Sequence, residues 1–498
     1  MLRTLFLLLV LGGPLFLTSC DEDTGNPADT TRPEVTILQP QGGGNVPAGN
    51  GVIQARATDD RGIARVECDV DGNRIGEDTT GADNLCDFTW AAAGLGVGSH
   101  HTIRVRAVDT SDNTDEVSIT VTISAQAGTF HSTEIIADET WAPSGNPHIV
   151  TAAIGIAGGA TLTILPGCLV QFQPNTDSGL GVGWQPTTGA LVAVGTALQP
   201  ILFTSRAATP QRGDWRGLNF YGGMLPTTRL SYCTIEYTGY DDGAAVYVAW
   251  GAALPMDHCT IRHAGGHGIT YEHAGHVEAF NHNTITTCAD YPLETEPEYV
   301  RYLGSGNSFT GNDAGKDRIM LYDGVVVTTG TWRNQGVPYE IAPVNDGGGI
   351  LVTPTEGTPA ILTIEAGTTI RFSEGAQLMV GYGGSTGGLI AVGTEQSPIT
   401  FTSAAASPQP GDWHQINFAD GAVDAQSRLE HCIIEYGGRG GYGNILVIDA
   451  LPTISACAIG HGASHGIYLG GGEYPNAGGL ATNNTFYSLA GQDVYVEP

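Results

Sequence analysis

One set of phrases runs through this chain twice, in the same order and at a nearly constant offset. LVAVGT (191–196) returns as LIAVGT (389–394), PILFTS (200–205) as PITFTS (398–403), and GDWRGLNF (213–220) as GDWHQINF (411–418). RLSYCTIEYTG (229–239) returns as RLEHCIIEYGG (428–438), and CTIRHAGGHGI (259–269) as CAIGHGASHGI (457–467). TLTILPG (161–167) matches ILTIEAG (361–367), and Thr140-Trp141 matches Thr331-Trp332. Two copies therefore span 128–316 and 317–498. Inside each copy a finer step appears. Cys233-Thr-Ile, Cys259-Thr-Ile, Asn283-Thr-Ile and Asn307-Ser-Phe follow at steps of 26, 24 and 24, and Cys432, Cys457 and Asn484 open the same triplet in copy two. A period of roughly 25 residues with short apolar strands and Gly turns is one coil of a β-solenoid, whereas a propeller blade needs about 40. Cys233, Cys259, Asn283 and Asn307 should then stack as one column, and Cys432, Cys457 and Asn484 as a second. Strands alternate inward and outward, so Ile235, Ile261 and Ile285 should fill the coil interior. Buried cysteines in such a column are expected as thiols more often than as bridges.

GTWRNQGVPYEI, LTIEAGTTIRF, GGLIAVGTEQSPITFTS and GDWHQINF, with the IEYGG, HGI and CADYPLE phrases, resemble the β-helix repeat region of many bacterial surface proteins. The resemblance covers 128–498. It implies a right-handed parallel β-helix and is nearly silent on activity, because the shared phrases are rungs and corners. Gln415-Ile416 replaces the usual Gly-Ile after the Trp, a local departure.

Upstream, EVTILQP, GVIQARATD, ARVECDVDG, CDFTWAA, HTIRVRAVD and EVSITVTIS alternate apolar and polar, with turn residues between them. This is the pattern of a β-sandwich over 33–125. ATDDRGIARVECDVDGNRIG and RVRAVDTSDNTDEVSITV resemble bacterial Ig-like domains, which are mostly spacers or accessory modules. The fold class expected is all-β, a sandwich followed by a β-helix in two tandem copies. Cys68 and Cys86 lie on strands of one small sandwich and are expected to form a disulfide. Asp59, Asp60, Asp109, Asp112 and Asp115 cluster in its loops; turn chemistry, with Asp bonding its own backbone, is the preferred role over a Ca²⁺ site.

The first residues, MLRTLFLLLVLGGPLFLTSC, carry one Arg and an apolar run from Leu5 to Leu17, too short to span a membrane. Leu17-Thr18-Ser19-Cys20 resembles the lipobox of bacterial lipoproteins. The resemblance implies a signal peptide over 1–19, acyl chains on Cys20, and a lipid bilayer as partner. Residues 20–32 read as a flexible tether. Asp21-Glu22-Asp23 resembles an inner-membrane retention signal in some bacteria and a surface-export signal in others; the outer membrane or cell surface is the preferred address. The charge of −31, from 51 acidic against 20 basic residues, excludes nucleic acid as a partner and disfavours polyanions unless a cation bridges them.

Candidate chemistry is sparse. Six of 14 histidines fall between His258 and His282. The H-x₃-H pair His263 and His267 recurs as His461 and His465, but that spacing suits a helix face and does not converge across a β-arc. In the resembled family the position of His263 is commonly Asn at a corner, which implies stacking there. No metal or other cofactor is expected. Glu236 and Asp242 would suit glycoside hydrolysis if adjacent rungs brought them to one cleft, yet Glu236 recurs as Glu435 and Asp241-Asp242-Gly243 is a good turn. Tyr237, Tyr240, Tyr247, Trp184, Trp215 and Trp250 would suit a sugar-stacking groove, although Trp215 recurs as Trp413 and fits a corner. A scaffold or adhesin binding a polysaccharide or a surface protein is preferred. A β-helix lyase or glycoside hydrolase is the alternative.

Overall fold

The structure, a computed structural model, describes residues 29–47, 50–79, 84–92, 95–96, 98–124 and 128–498. Cys20 and the apolar run before it lie outside the described residues. No helix among the described residues is long and apolar enough to cross a membrane.

The alternating segments before residue 125 form two antiparallel sheets. Glu34–Gln39, Asn50–Thr58 and Leu85–Ala91 make one. Asn45–Pro47, Thr114–Ser124, His100–Asp109, Ile63–Val70 and Asn73–Asp78 make the other, with Asn45–Pro47 parallel to its neighbour. Ile53, Val66, Phe88, Ile103, Val105 and Val121 fill the space between them. The expected bridge between Cys68 and Cys86 is not made: Cys68 is a thiol. Cys68 pairs with Val105 in one sheet and Cys86 with Ala55 in the other. A bridge would therefore have to cross the core from one sheet to the other.

From residue 129 the chain winds in coils of three short strands, one in each of three parallel sheets. Ala160–Ile164, Leu169–Phe172 and Gly179–Val182 form one coil. Gly189–Val194, Ile201–Ser205 and Gly217–Phe220 lie on it in register, Leu162 against Leu191, Val170 against Phe203 and Leu180 against Leu218. All six of those residues are buried, because inward positions recur every second residue. The expected columns form. Thr234 pairs with Thr260 and Thr260 with Thr284, which sets Cys233, Cys259 and Asn283 on one another. The Cys259 amide donates to Asn283 Oδ1 (2.9 Å) and the Asn283 amide to Asn307 Oδ1 (3.0 Å). Ile235, Ile261 and Ile285 pair in register with no exposure. In copy two the Cys457 amide donates to Asn484 Oδ1 (3.0 Å), and the column cysteines are thiols.

Left-handed residues flank these strands. Tyr232, His258 and His282 precede the column with φ of 49°, 51° and 54°, and Tyr237, His263 and Thr287 follow it with φ of 61°, 54° and 51°. A side chain in that region costs roughly 1–2 kcal/mol. Rung-to-rung stacking offsets the cost: Tyr232 lies 4.5 Å from His258, and His258 4.6 Å from His282.

Copy two does not continue copy one by simple translation. Ile201–Ser205 belongs to a seven-stranded sheet running from Thr129–His131 to Thr284–Thr286. Its sequence counterpart, Ile399–Ser403, belongs to a thirteen-stranded sheet running from Ala153–Ile156 to Thr485–Tyr487. In copy one that long sheet is made of the strands typified by Gly217–Phe220. The join is at Leu293–Thr295, which pairs with Ile319–Leu321. Corresponding strands therefore shift by one face of the coil between copies.

The sandwich lies against the first copy. Gln39 Nε2 donates to the Pro200 carbonyl (3.3 Å), and the Arg262 guanidinium is ion-paired with Asp87 of the sandwich.

Candidate functional site: an aromatic platform on the first copy

Three successive coils place an aromatic residue just past the end of a strand in the long sheet. Gly179–Val182 is followed by Trp184, Gly217–Phe220 by Tyr221, and Val246–Ala249 by Trp250. Trp184 meets two rings edge to face, Tyr221 at 4.6 Å and Trp250 at 5.0 Å, and Tyr221 lies tilted against Trp250 at 5.4 Å. Such T-shaped contacts set the positive edge of one ring against the negative face of another. Gly222 lets the backbone close up here, since a Cβ on it would sit 2.2 Å from the Trp250 carbonyl oxygen. Trp184 is 56% exposed and Trp250 37%. Tyr221 is partly covered, and burial pushes its phenol pKa above the ordinary value. Tyr247 extends the group, 5.9 Å from Tyr221, with its hydroxyl on Glu272.

A groove of about 330 Å³ opens beside Trp184 and Tyr221, floored by Gly155, Gly179 and Gly181 and edged by Asn219. Arg216 and Asp177 form an ion pair on its wall, so the groove holds no uncompensated charge from these two groups. Copy two keeps the groove but not the platform. Tyr382 takes the place of Trp184, beside a cavity of about 320 Å³. The positions of Tyr221, Tyr247 and Trp250 are held by Ala419, Leu446 and Asp449.

Other residues singled out from the sequence go elsewhere. Trp215 and Trp413 are buried corner residues, stacked on Phe172 at 3.7 Å and Phe372 at 4.1 Å. Tyr240 lies in a short 3₁₀ turn, outside the ring cluster. Glu236 is 1% exposed, accepting from Thr204 Oγ1 (2.6 Å) and Arg262 Nε (2.9 Å), which corrects its candidacy as a ligand-facing carboxylate. The Asp242 side chain lies outside the described residues. His263 stacks on Tyr237 at 5.1 Å, whereas His267 faces Glu294 (3.6 Å) and Asp290 (3.8 Å), so each ring has its own set of neighbours. The Arg262 position is Gly460 in copy two, where Glu435 accepts from the Tyr487 hydroxyl (2.5 Å) instead. Arg262 is thus the first copy's adaptation to the sandwich beside it.

Comparison with known proteins bears on the sandwich. Residues 33–105 match the family model described as a bacterial Ig domain. The N-terminal domain is Ig-like. Bacterial Ig domains are typical of surface or extracellular proteins. Among solved structures, the fibronectin(III)-like modules of Clostridium thermocellum CbhA align at 28% identity over 19% of this chain and 47% of that one, with a TM-score of 0.16. The chain thus spans about half of that structure. Pectate lyase Pel3 from Pectobacterium carotovorum aligns at 8% identity over 76% of this chain and 89% of that one, also with a TM-score of 0.16. At those scores neither likeness bears on activity, and the β-helix rests on the strand register described above. No curated protein matches the chain.

Proposed function

We propose that this protein is an envelope-anchored binding scaffold, in which the Ig-like domain spaces a β-helix from the membrane and the aromatic platform takes a neutral glycan. The carrying observation is the convergence of Trp184, Tyr221 and Trp250 on one solvent-facing edge, with two of the rings well exposed. Exposed tryptophans cost free energy in water, and rigid rings with two side-chain torsions give contact area at low entropic cost. The apolar C–H face of a pyranose complements such rings, while Asn219 and the Arg216–Asp177 pair supply polar contacts at the groove edge. The charge of −31 favours a neutral chain over a uronate polymer. Acylation at Cys20 supplies the anchor, and stable attachment takes two or more chains at about 0.8 kcal/mol per buried CH₂.

The test is a glycan array on the whole chain followed by calorimetry with the best ligand. Trp184→Ala and Trp250→Ala should each weaken binding by about tenfold or more, the range of an interface hot spot. Tyr382→Ala, in copy two, should not. Binding untouched by both tryptophan changes would remove the platform from the function. Release of reducing ends or unsaturated products from the bound glycan would replace a scaffold with an enzyme. For the anchor, Cys20→Ala should move the protein from the detergent phase to the aqueous phase.

A further inference from the structure

Asp29 stands where the described chain begins, ahead of the first strand of the Ig-like domain. It meets two loops at one end of the sandwich, and one oxygen from each of Asp29, Asp59 and Asp109 lies within 4.8 Å of the others. The Asp29 side chain is 2% exposed and Asp109 1%. Turn chemistry accounts for part of this cluster. Asp59 Oδ2 accepts from the amides of Arg61 (2.8 Å) and Gly62 (3.1 Å). Asp109 accepts from the amides of Ser111 (2.7 Å) and Asn113 (2.9 Å) and from Asn113 Nδ2 (2.8 Å). Asp29 Oδ1 accepts from the Thr31 amide (3.0 Å). Two oxygens are left over. Asp29 Oδ2 and Asp59 Oδ1 are both buried and neither has a hydrogen-bond donor. Arg61 Nε stands 3.9 Å from Asp29 Oδ2, too far to donate.

Buried carboxylate oxygens are nearly always paired, because stripping them of water without a partner is expensive. Here two accept no hydrogen bond and a third carboxylate faces them, so three carboxylates meet a single guanidinium, that of Arg61, which stands too far away to donate. We propose that Asp29, Asp59 and Asp109 bind a calcium ion. Oxygens within 4.8 Å of one another can share one Ca²⁺, whose bonds of about 2.3–2.6 Å place opposite ligands about 4.6–5.2 Å apart. The donor set is all hard oxygen, which disfavours zinc and copper. Mg²⁺ holds its water tightly and is rarely caged by protein loops. Waters complete the coordination sphere. Bound calcium cross-links the start of the domain to both loops, and Asn113, which also reaches the Asp29 carbonyl (3.2 Å), strengthens the same junction. The leash from the membrane then ends at Asp29 rather than at the first strand.

Calorimetric titration of the whole chain with calcium chloride tests this. We expect one ion per chain with a Kd of about 10⁻⁴–10⁻³ M, the range of extracellular modules. Hydrogen exchange at the Thr31, Arg61 and Asn113 amides should slow when calcium is added. Asp29→Asn should weaken binding at least tenfold and abolish that slowing; it removes no cap from either loop, so the domain should keep its circular dichroism spectrum. Asp60→Asn, next door and exposed, should bind as the parent does. Unchanged affinity in Asp29→Asn overturns the site. So does the absence of both heat and protection at about 10 mM calcium, or equal protection by magnesium.

Discussion

His263 shows how much of this chain's chemistry is conformational. Its ring is stacked on Tyr237 at a left-handed corner, and burial, helped by the Arg262 and Arg212 charges, pulls its pKa down to about 4. In the unfolded chain the ring titrates near 6.5. The unfolded state therefore binds the proton first, so this contribution to stability is full above about pH 6.5 and is lost as the pH falls towards and through about 4. Urea midpoints taken from pH 7.5 down to pH 4 should fall, and His263→Gln should flatten the slope. Asn283 makes a second test at this scale. It is fully buried, with Oδ1 on the Cys259 amide and Nδ2 on the Met256 carbonyl (3.0 Å). Asn283→Ala leaves both groups bare, at about 1–3 kcal/mol for each unsatisfied group. A drop in unfolding free energy below about 1 kcal/mol would show that water takes its place.

At the scale of the rung, the sequence is most readable where a residue type repeats at the coil period. The alignment of Cys233, Cys259, Asn283 and Asn307 follows from spacing alone, because parallel strands stack in register and the interior admits only compact or ladder-forming side chains. The same logic places Trp215 and Trp413 at corners. It fails for Glu236, whose recurrence as Glu435 gives the position but not the partner: Arg262 comes from the next rung, and in copy two a tyrosine hydroxyl serves instead. It also fails for Trp184, Tyr221 and Trp250. Trp184 follows its strand by two residues and Tyr221 and Trp250 by one, and the rings stand 37 and 29 residues apart, so no fixed spacing links them until the coils are stacked. The thiol columns give a prediction for this scale. Burial pushes Cys168 to about 11 and Cys288 to about 12 and raises Cys233, so thiolate is scarce there, whereas a hydrogen bond from Cys432 lowers Cys457, which enclosure alone protects. A thiol reagent at pH 8 should leave the six cysteines from Cys168 to Cys457 untouched in the folded β-helix and modify all six after unfolding. Rapid labelling of any in the native state would mean that its coil opens.

Across the whole molecule, the contacts that matter most join residues far apart in the chain, and these are the ones the sequence hides. Asp29 reads as tether until it is seen between two loops 30 and 80 positions away. The partner of Arg262 is invisible in the sequence until Asp87 meets it. Replacing it with the glycine that copy two carries should strand the buried Glu236 and cost about 3–5 kcal/mol, and Arg262→Gly with Glu236→Gln should recover much of the loss. In both variants the sandwich loses its charged tie to the β-helix, so X-ray scattering should report a larger radius of gyration; an unchanged radius would place the docking energy in the contact around Gln39. The shift of one face between the copies sets a limit of another kind. A straight polymer laid along the axis over the platform would run from copy one onto copy two's counterpart of a different wall, so the second groove, beside Tyr382, faces away from it. The duplication has built a bracket with two unlike outlooks rather than a longer track. A ligand gripped by one half exerts no selection on the matching surface of the other, which leaves the exteriors free to drift apart while the stacked interior keeps both halves in step.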